Sequence, residues 1–225
     1  QVEMLVYDDK LDQAEKLLNE LYAIEPTNEE IFIQKANIYS KRDQHEKAVE
    51  YLNIALKYTE DFADVYNLIG MEYLFMDNLE QAKQSFIKCL EEDIEDQSAL
   101  YNVVYCYEFL DQNLEAIEYL KTYIERNPYS EIAWHQSGRL YYGLKDYENA
   151  VRAFEFSTYI DDEFIGAYME MGKAQERLKK YDEAIESYQR TIELDDPTSY
   201  ALLRIGKCYE KLGNKVEALK YFNKT

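Results

Sequence analysis

Residues 131–164 read EIAWHQSGRLYYGLKDYENAVRAFEFSTYIDDEF, and this stretch decides the fold. Its first half places three residues at i, i+4 and i+7, on one face of a helix: Trp134, Gly138 and Tyr141. Its second half repeats that spacing at Ala150, Phe154 and Ser157. Lys145-Asp146-Tyr147 predicts a short turn between them. The stretch therefore predicts a helical hairpin in which small residues let the two helices approach closely.

The same pattern recurs along the chain with a period of 34 residues. The anchor of each period is an alanine, found at Ala14, Ala48, Ala82, Ala116, Ala150, Ala184 and Ala218. Four residues later stands a large apolar residue: Leu18, Leu52, Phe86, Leu120, Phe154, Tyr188 or Phe222. Twelve residues before six of the anchors stand Ala36, Gly70, Val104, Gly138, Gly172 and Gly206. One hairpin cannot bury its apolar face alone, so neighbouring hairpins must stack.

These columns resemble the tetratricopeptide repeat, which has a 34-residue period with Trp, Leu-Gly, Tyr, Ala, Phe and Pro at fixed places. Departures from the pattern are Val104, Gln175, Lys35 and Ser137, while the closing proline occurs at Pro26 and Pro128 and is displaced by one at Pro197. The resemblance implies an all-α fold, an α-α superhelix or right-handed solenoid of antiparallel helix hairpins. It also implies that the first helix of each hairpin lines a concave groove that binds an extended peptide or a partner's helix.

The period predicts one array over residues 1–225. Its units are 1–28 (partial), 29–62, 63–96, 97–130, 131–164, 165–198 and 199–225. Ala14 has only 13 residues before it, and Thr225 falls where a second helix should end. Solenoids generally need polar capping helices. We therefore expect the chain to be a fragment of a longer array or of a multidomain protein.

Composition excludes several functional classes. The formal net charge of -20 argues against nucleic-acid binding, which requires clustered Lys and Arg, and disfavours anionic membrane surfaces. The apolar runs are too short to span a membrane, so no membrane insertion is expected. Three cysteines without C-x-x-C spacing indicate neither a disulfide framework nor a zinc site and favour a cytoplasmic location. The charge is uneven: residues 1–112 hold 25 acidic and 9 basic residues, whereas residues 113–225 hold 20 and 16.

The candidate binding residues lie at the first-helix positions opposite the core columns. In the middle units they are aromatic or amide residues: Asn67, Phe75, Tyr101, Asn102, Tyr105, Phe109, His135 and Tyr142. In the later units they are mostly basic: Arg139, Lys173, Arg177, Arg204 and Lys207. Aromatic and amide side chains suit peptide contact, and the basic end would attract acidic side chains or a terminal carboxylate. On this hypothesis Tyr105→Ala or Arg204→Glu weakens partner binding without lowering the melting temperature; the alternative is that these residues only solvate the helix surface.

Constellations typical of catalysis or metal binding are not expected. His45 and His135 are 90 residues apart and are most simply read as solvent-facing. Cys89 stands where second helices carry small residues, so packing explains it. The acidic runs at 91–96 and at Asp195-Asp196 fall at turns before a helix, where carboxylates cap the helix N-terminus. The sequence thus predicts no catalytic residues, no metal and no cofactor.

Three functions remain open after the sequence analysis. The first is a non-catalytic scaffold that binds a peptide or helix of another protein, possibly with acidic residues, in the predicted groove. The second is the regulatory or substrate-presenting arm of a larger enzyme or multidomain protein. The third is a self-assembling array, with copies joined through the chain ends or through an aromatic stripe on one helix face, formed by Tyr101, Tyr105 and Phe109 at i, i+4 and i+8.

Overall fold

A computed structural model describes residues 1–195 and 198–224. Asp196, Pro197 and Thr225, which entered the sequence analysis, lie outside the described residues. The described chain is all-α, 78% helical with 14 helices and no strand, so the predicted fold class is confirmed. No helix within the described ranges is long and apolar enough to cross a membrane.

The helices divide between two compact units, residues 1–112 (unit 1) and 113–225 (unit 2). Unit 1 contains Val2–Tyr7 (α1), Leu11–Ile24 (α2), Glu29–Lys41 (α3), His45–Ala55 (α4), Phe62–Phe75 (α5), Leu79–Glu92 (α6) and Gln97–Phe109 (α7). Unit 2 contains Asn113–Arg126 (α8), Glu131–Gly143 (α9), Tyr147–Ile160 (α10), Ile165–Arg177 (α11), Tyr181–Leu194 (α12), Ser199–Lys211 (α13) and Lys215–Phe222 (α14). Odd-numbered helices are the first helices of their repeats and even-numbered helices are the second.

The turn between the two helices of a repeat has one backbone conformation throughout. The residue five before each anchor alanine has positive φ, at Asp9, Asp43, Asp77, Asp111, Lys145, Lys179 and Gly213. Only one of the seven is glycine; Asp tolerates the left-handed region better than most residues, whereas Lys does so at a cost. The turn is therefore imposed by the packing of the two helices as well as by local preference.

The core of each unit follows the predicted columns. All seven anchor alanines are buried, with exposed fractions of 0 to 3%. A Cβ added to Gly70, Gly138 or Gly172 would lie 2.5 to 2.7 Å from the ring of Phe86, Phe154 or Tyr188 in the same repeat. Gly206 stands in the same relation to Phe222. Small residues therefore do allow the two helices to approach closely, as the sequence predicts.

Two departures from the family pattern are accommodated by buried polar contacts. Gln175, which replaces a tyrosine, is buried and accepts a hydrogen bond of 2.7 Å from the Ser187 hydroxyl. Lys35, which replaces an apolar residue, packs its ammonium over the rings of Tyr22 and Tyr51, at 5.2 and 5.7 Å from the ring centres. Cation–π contact of this kind compensates part of the cost of burying the charge.

The acidic run at 91–96 forms a turn with capping contacts, as predicted. Asp93 Oδ1 accepts from the backbone N–H of Glu95, and Asp96 Oδ1 accepts from that of Ala99 at the start of α7. Glu91 and Glu92 are exposed. Cys89 is buried, which agrees with the packing interpretation.

Candidate functional site

The predicted binding residues all lie on first helices, but they fall into two chemically different sets. Unit 1 carries an aromatic and amide set on α5 and α7. Unit 2 carries a basic set on α9, α11 and α13. The arrangement of these residues along one concave groove stays a prediction.

The aromatic set of unit 1 is exposed. Phe75, Tyr101, Tyr105 and Phe109 are 59, 40, 42 and 65% exposed. Tyr105 and Phe109 lie one helical turn apart, with ring centres 4.3 Å from each other. Large apolar side chains that cluster on a surface mark interaction sites more often than isolated ones do. The exposed aromatic stripe is therefore a candidate contact surface for a partner.

Phe75 is held by a histidine that the sequence analysis left outside the site. The His45 ring stacks on Phe75 with 5.2 Å between ring centres, and His45 Nδ1 lies 2.8 Å from Glu72 Oε2. His45 is half-buried rather than solvent-facing, which corrects the sequence prediction. The pair fixes the orientation of the exposed Phe75 ring.

The two asparagines of unit 1 also make internal contacts. Asn67 Nδ2 donates to Asp96 Oδ2 at 2.8 Å, the carboxylate that caps α7. Asn102 Nδ2 lies 3.7 Å from the sulfur of Met71. The first contact ties α5 to the turn before α7, so Asn67 has a structural role that its sequence position did not reveal.

In unit 2 the structure brings three predicted residues together around one cleft. Arg139, Tyr142 and Lys173 line it with Gly143 and Glu170, and its volume is about 220 Å³. Arg139 and Lys173 occupy the same position in successive repeats, so the 34-residue period places both cations on neighbouring first helices. The cleft therefore has two cationic walls and a tyrosine hydroxyl.

His135 does not face solvent, which corrects the sequence prediction. Only 8% of it is exposed, and its ring lies 5.7 Å from that of Phe154 and 4.7 Å from that of Phe164. Phe164 comes from the turn that precedes α11 and covers the imidazole. His135 is therefore not an exposed contact residue but part of the support beneath the cleft.

The partner of His135 is Glu170, a wall of the cleft. His135 Nε2 lies 3.2 Å from Glu170 Oε2, an ion-pair distance without well-aligned hydrogen-bond geometry. Burial alone would raise the pKa of Glu170, but His135 together with the charges of Arg139 and Lys173 outweighs burial and lowers it. Glu170 is thus held as a carboxylate and has its own counter-charges.

Arg204, predicted as a binding residue, is also engaged within the protein. Its Nε donates to Glu176 Oε1 at 2.7 Å and its Nη2 to Glu176 Oε2 at 2.5 Å. The Tyr188 hydroxyl donates to the same carboxylate at 2.6 Å. Burial opposes the Arg204 charge, but the bidentate bond to Glu176 raises the Arg204 pKa above its ordinary value. Replacing Arg204 would therefore affect stability as well as binding.

The other basic residues are less constrained. Arg177 Nε donates to the Tyr142 hydroxyl at 3.3 Å, and Lys207 is exposed. Lys173 Nζ lies 5.6 Å from the centre of the Tyr200 ring. Tyr200 is itself exposed, and sequence reasoning missed it because it stands before the positions compared between repeats.

The titratable groups do not assemble into a metal-binding cluster in the part of the chain that the structure describes. No group of three or more His, Cys, Asp or Glu residues there could hold a metal ion. The three cysteines are buried and free. Burial raises the pKa of Cys106 to about 11 and that of Cys208 to about 12, and it also raises that of Cys89. Neutral thiols are poor nucleophiles.

Stacked helical hairpins that present exposed aromatic and basic side chains define a class of repeat scaffold for protein–protein interaction. Family models described as "Tetratricopeptide repeat" match residues 5–71, 63–93, 97–130, 132–164, 166–196 and 200–225. The chain belongs to the tetratricopeptide-repeat family.

A similar curated protein is anaphase-promoting complex subunit 3 of Schizosaccharomyces pombe, 25% identical over 147 residues. The match covers 65% of this chain but only 22% of that protein, so the chain spans about a fifth of its relative's length.

Two solved structures are also similar. The MamA protein matches with a TM-score of 0.63 and 25% identity, over 74% of this chain and 91% of that one. The C-terminal part of a repeat protein from Cytophaga hutchinsonii matches with a TM-score of 0.72 and 16% identity, over 98% and 92%, which shows the fold alone.

Proposed function

We propose that the first-helix surface of unit 2 binds an acidic segment of a partner protein, within the general role of an interaction scaffold. The observation that carries the proposal is a local excess of cations. The predicted binding positions of α9, α11 and α13, which are exposed or half-buried, hold six basic residues against three acidic ones: Arg139, Lys173, Arg177, Arg204, Lys207 and Lys211 against Glu170, Glu176 and Glu210.

One of those three carboxylates, Glu176, is bound by Arg204. Glu170 lies beside His135 and is also stabilised by the charges of Arg139 and Lys173. Apart from the Arg204–Glu176 pair, five basic residues stand against two acidic ones on this surface, although the whole chain carries a net charge of -20. A cationic surface on an acidic protein attracts acidic segments of a partner.

The cleft of unit 2 suits a carboxylate side chain. Arg139 and Lys173 provide two cations and Tyr142 provides a hydroxyl around a volume of about 220 Å³, and the two cations outnumber the one carboxylate in its lining, Glu170. Charge-assisted hydrogen bonds from Arg or Lys to a carboxylate are about twice as strong as neutral ones. The aromatic stripe of unit 1 would make apolar contacts of its own with a partner protein.

The test compares two fluorescent peptides that share their apolar residues, one with Glu and Asp at the remaining positions and one with Lys and Arg. We expect the acidic peptide to bind the full chain more tightly, with an affinity that falls as salt is added. Arg139→Glu with Lys173→Glu should weaken it about tenfold or more, equivalent to ~1.4 kcal/mol.

The matched control is Arg152→Glu with Lys215→Glu, which changes the net charge equally at exposed residues on the second helices α10 and α14. It should leave the affinity within about twofold, since only long-range electrostatics changes. Equal losses in both double variants, or no preference for the acidic peptide, would contradict the proposal.

We also propose that this chain has no catalytic activity of its own. In support, its two histidines each pair with one glutamate, and its cysteines are buried thiols with raised pKa values. An activity of the purified chain that is lost on mutation of His45 or His135 would overturn this proposal.

For the location we propose the cytoplasm, where free cysteines are stable.

A further inference from the structure

The cleft of unit 2 owes its space to a glycine. Gly143, at the end of α9, stands seven residues before the anchor alanine and is one of the residues that line the cleft. At the same position the other repeats carry a larger side chain: Tyr7, Lys41, Phe75, Phe109, Arg177 and Lys211. A Cβ added to Gly143 would have open space around it. The missing side chain therefore opens the cleft in this repeat.

Three hydrogen-bond donors line the opened space. Arg139 and Lys173 stand at equivalent positions of α9 and α11, and Tyr142 adds a hydroxyl. Arg139 Nη1 donates to Gln136 Oε1 at 2.7 Å, a contact that fixes the guanidinium. The Tyr142 hydroxyl accepts from Arg177 Nε at 3.3 Å, so its own proton can be donated to a ligand. The cleft can thus offer donors from three side chains to one bound group.

The positive charge beside the cleft exceeds what one carboxylate of a ligand would balance. Arg139 and Lys173 line the cleft, and Arg177 is bound to its tyrosine hydroxyl. Against these three cations the lining contains one carboxylate, Glu170, whose Oε2 lies 3.2 Å from His135 Nε2. A ligand carboxylate offers one charge and two oxygens. A phosphoryl group on serine or threonine offers a charge of about -1.5 to -2 and three acceptor oxygens, which matches three donors and the surplus of cations better.

We infer that the cleft beside Gly143 is a subsite for the phosphoryl group of a phosphorylated serine or threonine in the acidic segment that unit 2 binds. The inference rests on the proposed function, because it names the group that anchors the segment. Arg139 and Lys173 bind the phosphoryl oxygens by charge-assisted hydrogen bonds, and Tyr142 donates to a further oxygen. Because the other repeats carry a larger side chain in place of Gly143, the subsite belongs to the repeat of residues 131–164.

The test uses three fluorescent peptides with the same acidic flanks and with phosphoserine, aspartate or serine at one central position. Fluorescence anisotropy measures their binding to the full chain. We expect the phosphoserine peptide to bind about tenfold more tightly than the aspartate peptide, since an additional oxygen and additional charge engage the same donors. Inorganic phosphate should displace it only at concentrations far above those of the peptide, because phosphate alone lacks the contacts of the flanking residues.

Gly143→Phe fills the cleft without changing any charge, and phenylalanine already occupies this position at Phe75 and Phe109. The variant should reduce the advantage of phosphoserine over aspartate to about twofold or less, since only longer-range electrostatic attraction remains. Gly143→Ala is the matched control, because a methyl group leaves most of the space open, and it should keep the full advantage. Unchanged helical circular dichroism and melting temperature check that both variants fold.

Equal affinities of the phosphoserine and aspartate peptides would overturn the inference but leave the proposed function intact, since that function requires only acidic binding. An advantage of phosphoserine that survives Gly143→Phe would overturn the assignment to this cleft. Displacement by inorganic phosphate at the concentrations at which the peptide itself binds would overturn the phosphorylated segment as the ligand and indicate a free phosphate site. Failure of all three peptides to bind would contradict the inference and the proposed function together.

Discussion

At the scale of single residues, basic side chains on the first helices of unit 2 look equivalent in the sequence but have different roles in the structure. Arg204 and Lys207 are one helical turn apart and both match the basic pattern. Arg204 forms a bidentate pair with a largely buried glutamate, whereas Lys207 is exposed. The first contributes to stability and the second is available for binding.

We expect Arg204→Glu to lower the free energy of unfolding by about 1–3 kcal/mol, because it leaves Glu176 without its counter-charge and adds a like charge. The expected loss is smaller than for a fully buried pair, because solvent screens the partly exposed Arg204 side chain. Urea denaturation measures the change. Lys207→Glu is the control, with an expected effect within about 0.5 kcal/mol. This revises the expectation that Arg204→Glu leaves the melting temperature unchanged. Equal stability of the two variants would show that the Arg204–Glu176 pair does not stabilise the fold.

The lowered pKa of Glu170 predicts that the free energy of unfolding depends on pH. Its folded-state pKa lies below the ordinary value because His135, Arg139 and Lys173 outweigh the effect of burial. Its stabilising contribution is therefore present above the unfolded pKa of roughly 4.3 and is lost as pH falls through the lower folded pKa. The stability difference between wild type and Glu170→Gln should be largest near pH 5, on the order of 1 kcal/mol, and should shrink towards pH 3.

The measurement for Glu170 is urea denaturation at several pH values between about 3 and 5. Glu163→Gln, at an exposed residue of the preceding turn, is the control and should show no such trend. A difference for Glu170→Gln that stays constant down to pH 3 would mean that the ordinary pKa is retained.

At the scale of elements, the close approach of the two helices of a repeat depends on matched side-chain sizes. Where the first helix has glycine, the second has an aromatic residue: Gly70 with Phe86, Gly138 with Phe154, Gly172 with Tyr188 and Gly206 with Phe222. Where the first helix has a larger residue, the second has leucine: Val2 with Leu18 and Ala36 with Leu52. The sum of the two volumes is thus kept within the range that the helix spacing allows.

This size match predicts the effect of adding one methyl group. Gly138→Ala should cost about 1–3 kcal/mol, because its Cβ would lie 2.5 Å from the Phe154 ring. Adding Phe154→Leu should recover part of that loss, so that the double variant is more stable than the two single effects predict. Gly143→Ala, on the same helix and with no atom within 4 Å of its Cβ, should be neutral or stabilising. Additive effects in the double variant would argue against the size match.

At the scale of the whole molecule, charge differs between the two units. Unit 1 has a net charge of -16 and exposes an aromatic stripe on α7, whereas unit 2 has a net charge of -4 and a basic first-helix surface. The two units therefore offer a partner different chemistry. The acidic-peptide experiment addresses unit 2 alone, and Tyr105→Ala, in unit 1, is not expected to alter that binding.

The sequence by itself determined the fold class and the repeat. A 34-residue period with small and large residues in fixed columns can bury its apolar faces only as stacked helical hairpins. It also identified exposed candidates such as Tyr105 and Phe109, because residues opposite the core columns face away from the core. These conclusions need only periodicity, which is a property of the chain.

The tertiary structure alone decided which candidates are available to a partner. His135 is covered by Phe164, Arg204 is bound to Glu176, and Asn67 is tied to Asp96. Each partner lies 28 or 29 residues away, on a neighbouring repeat or turn. Helical spacing states which face a residue occupies, but not what the adjacent repeat places over it, since that depends on the stacking of one hairpin on the next.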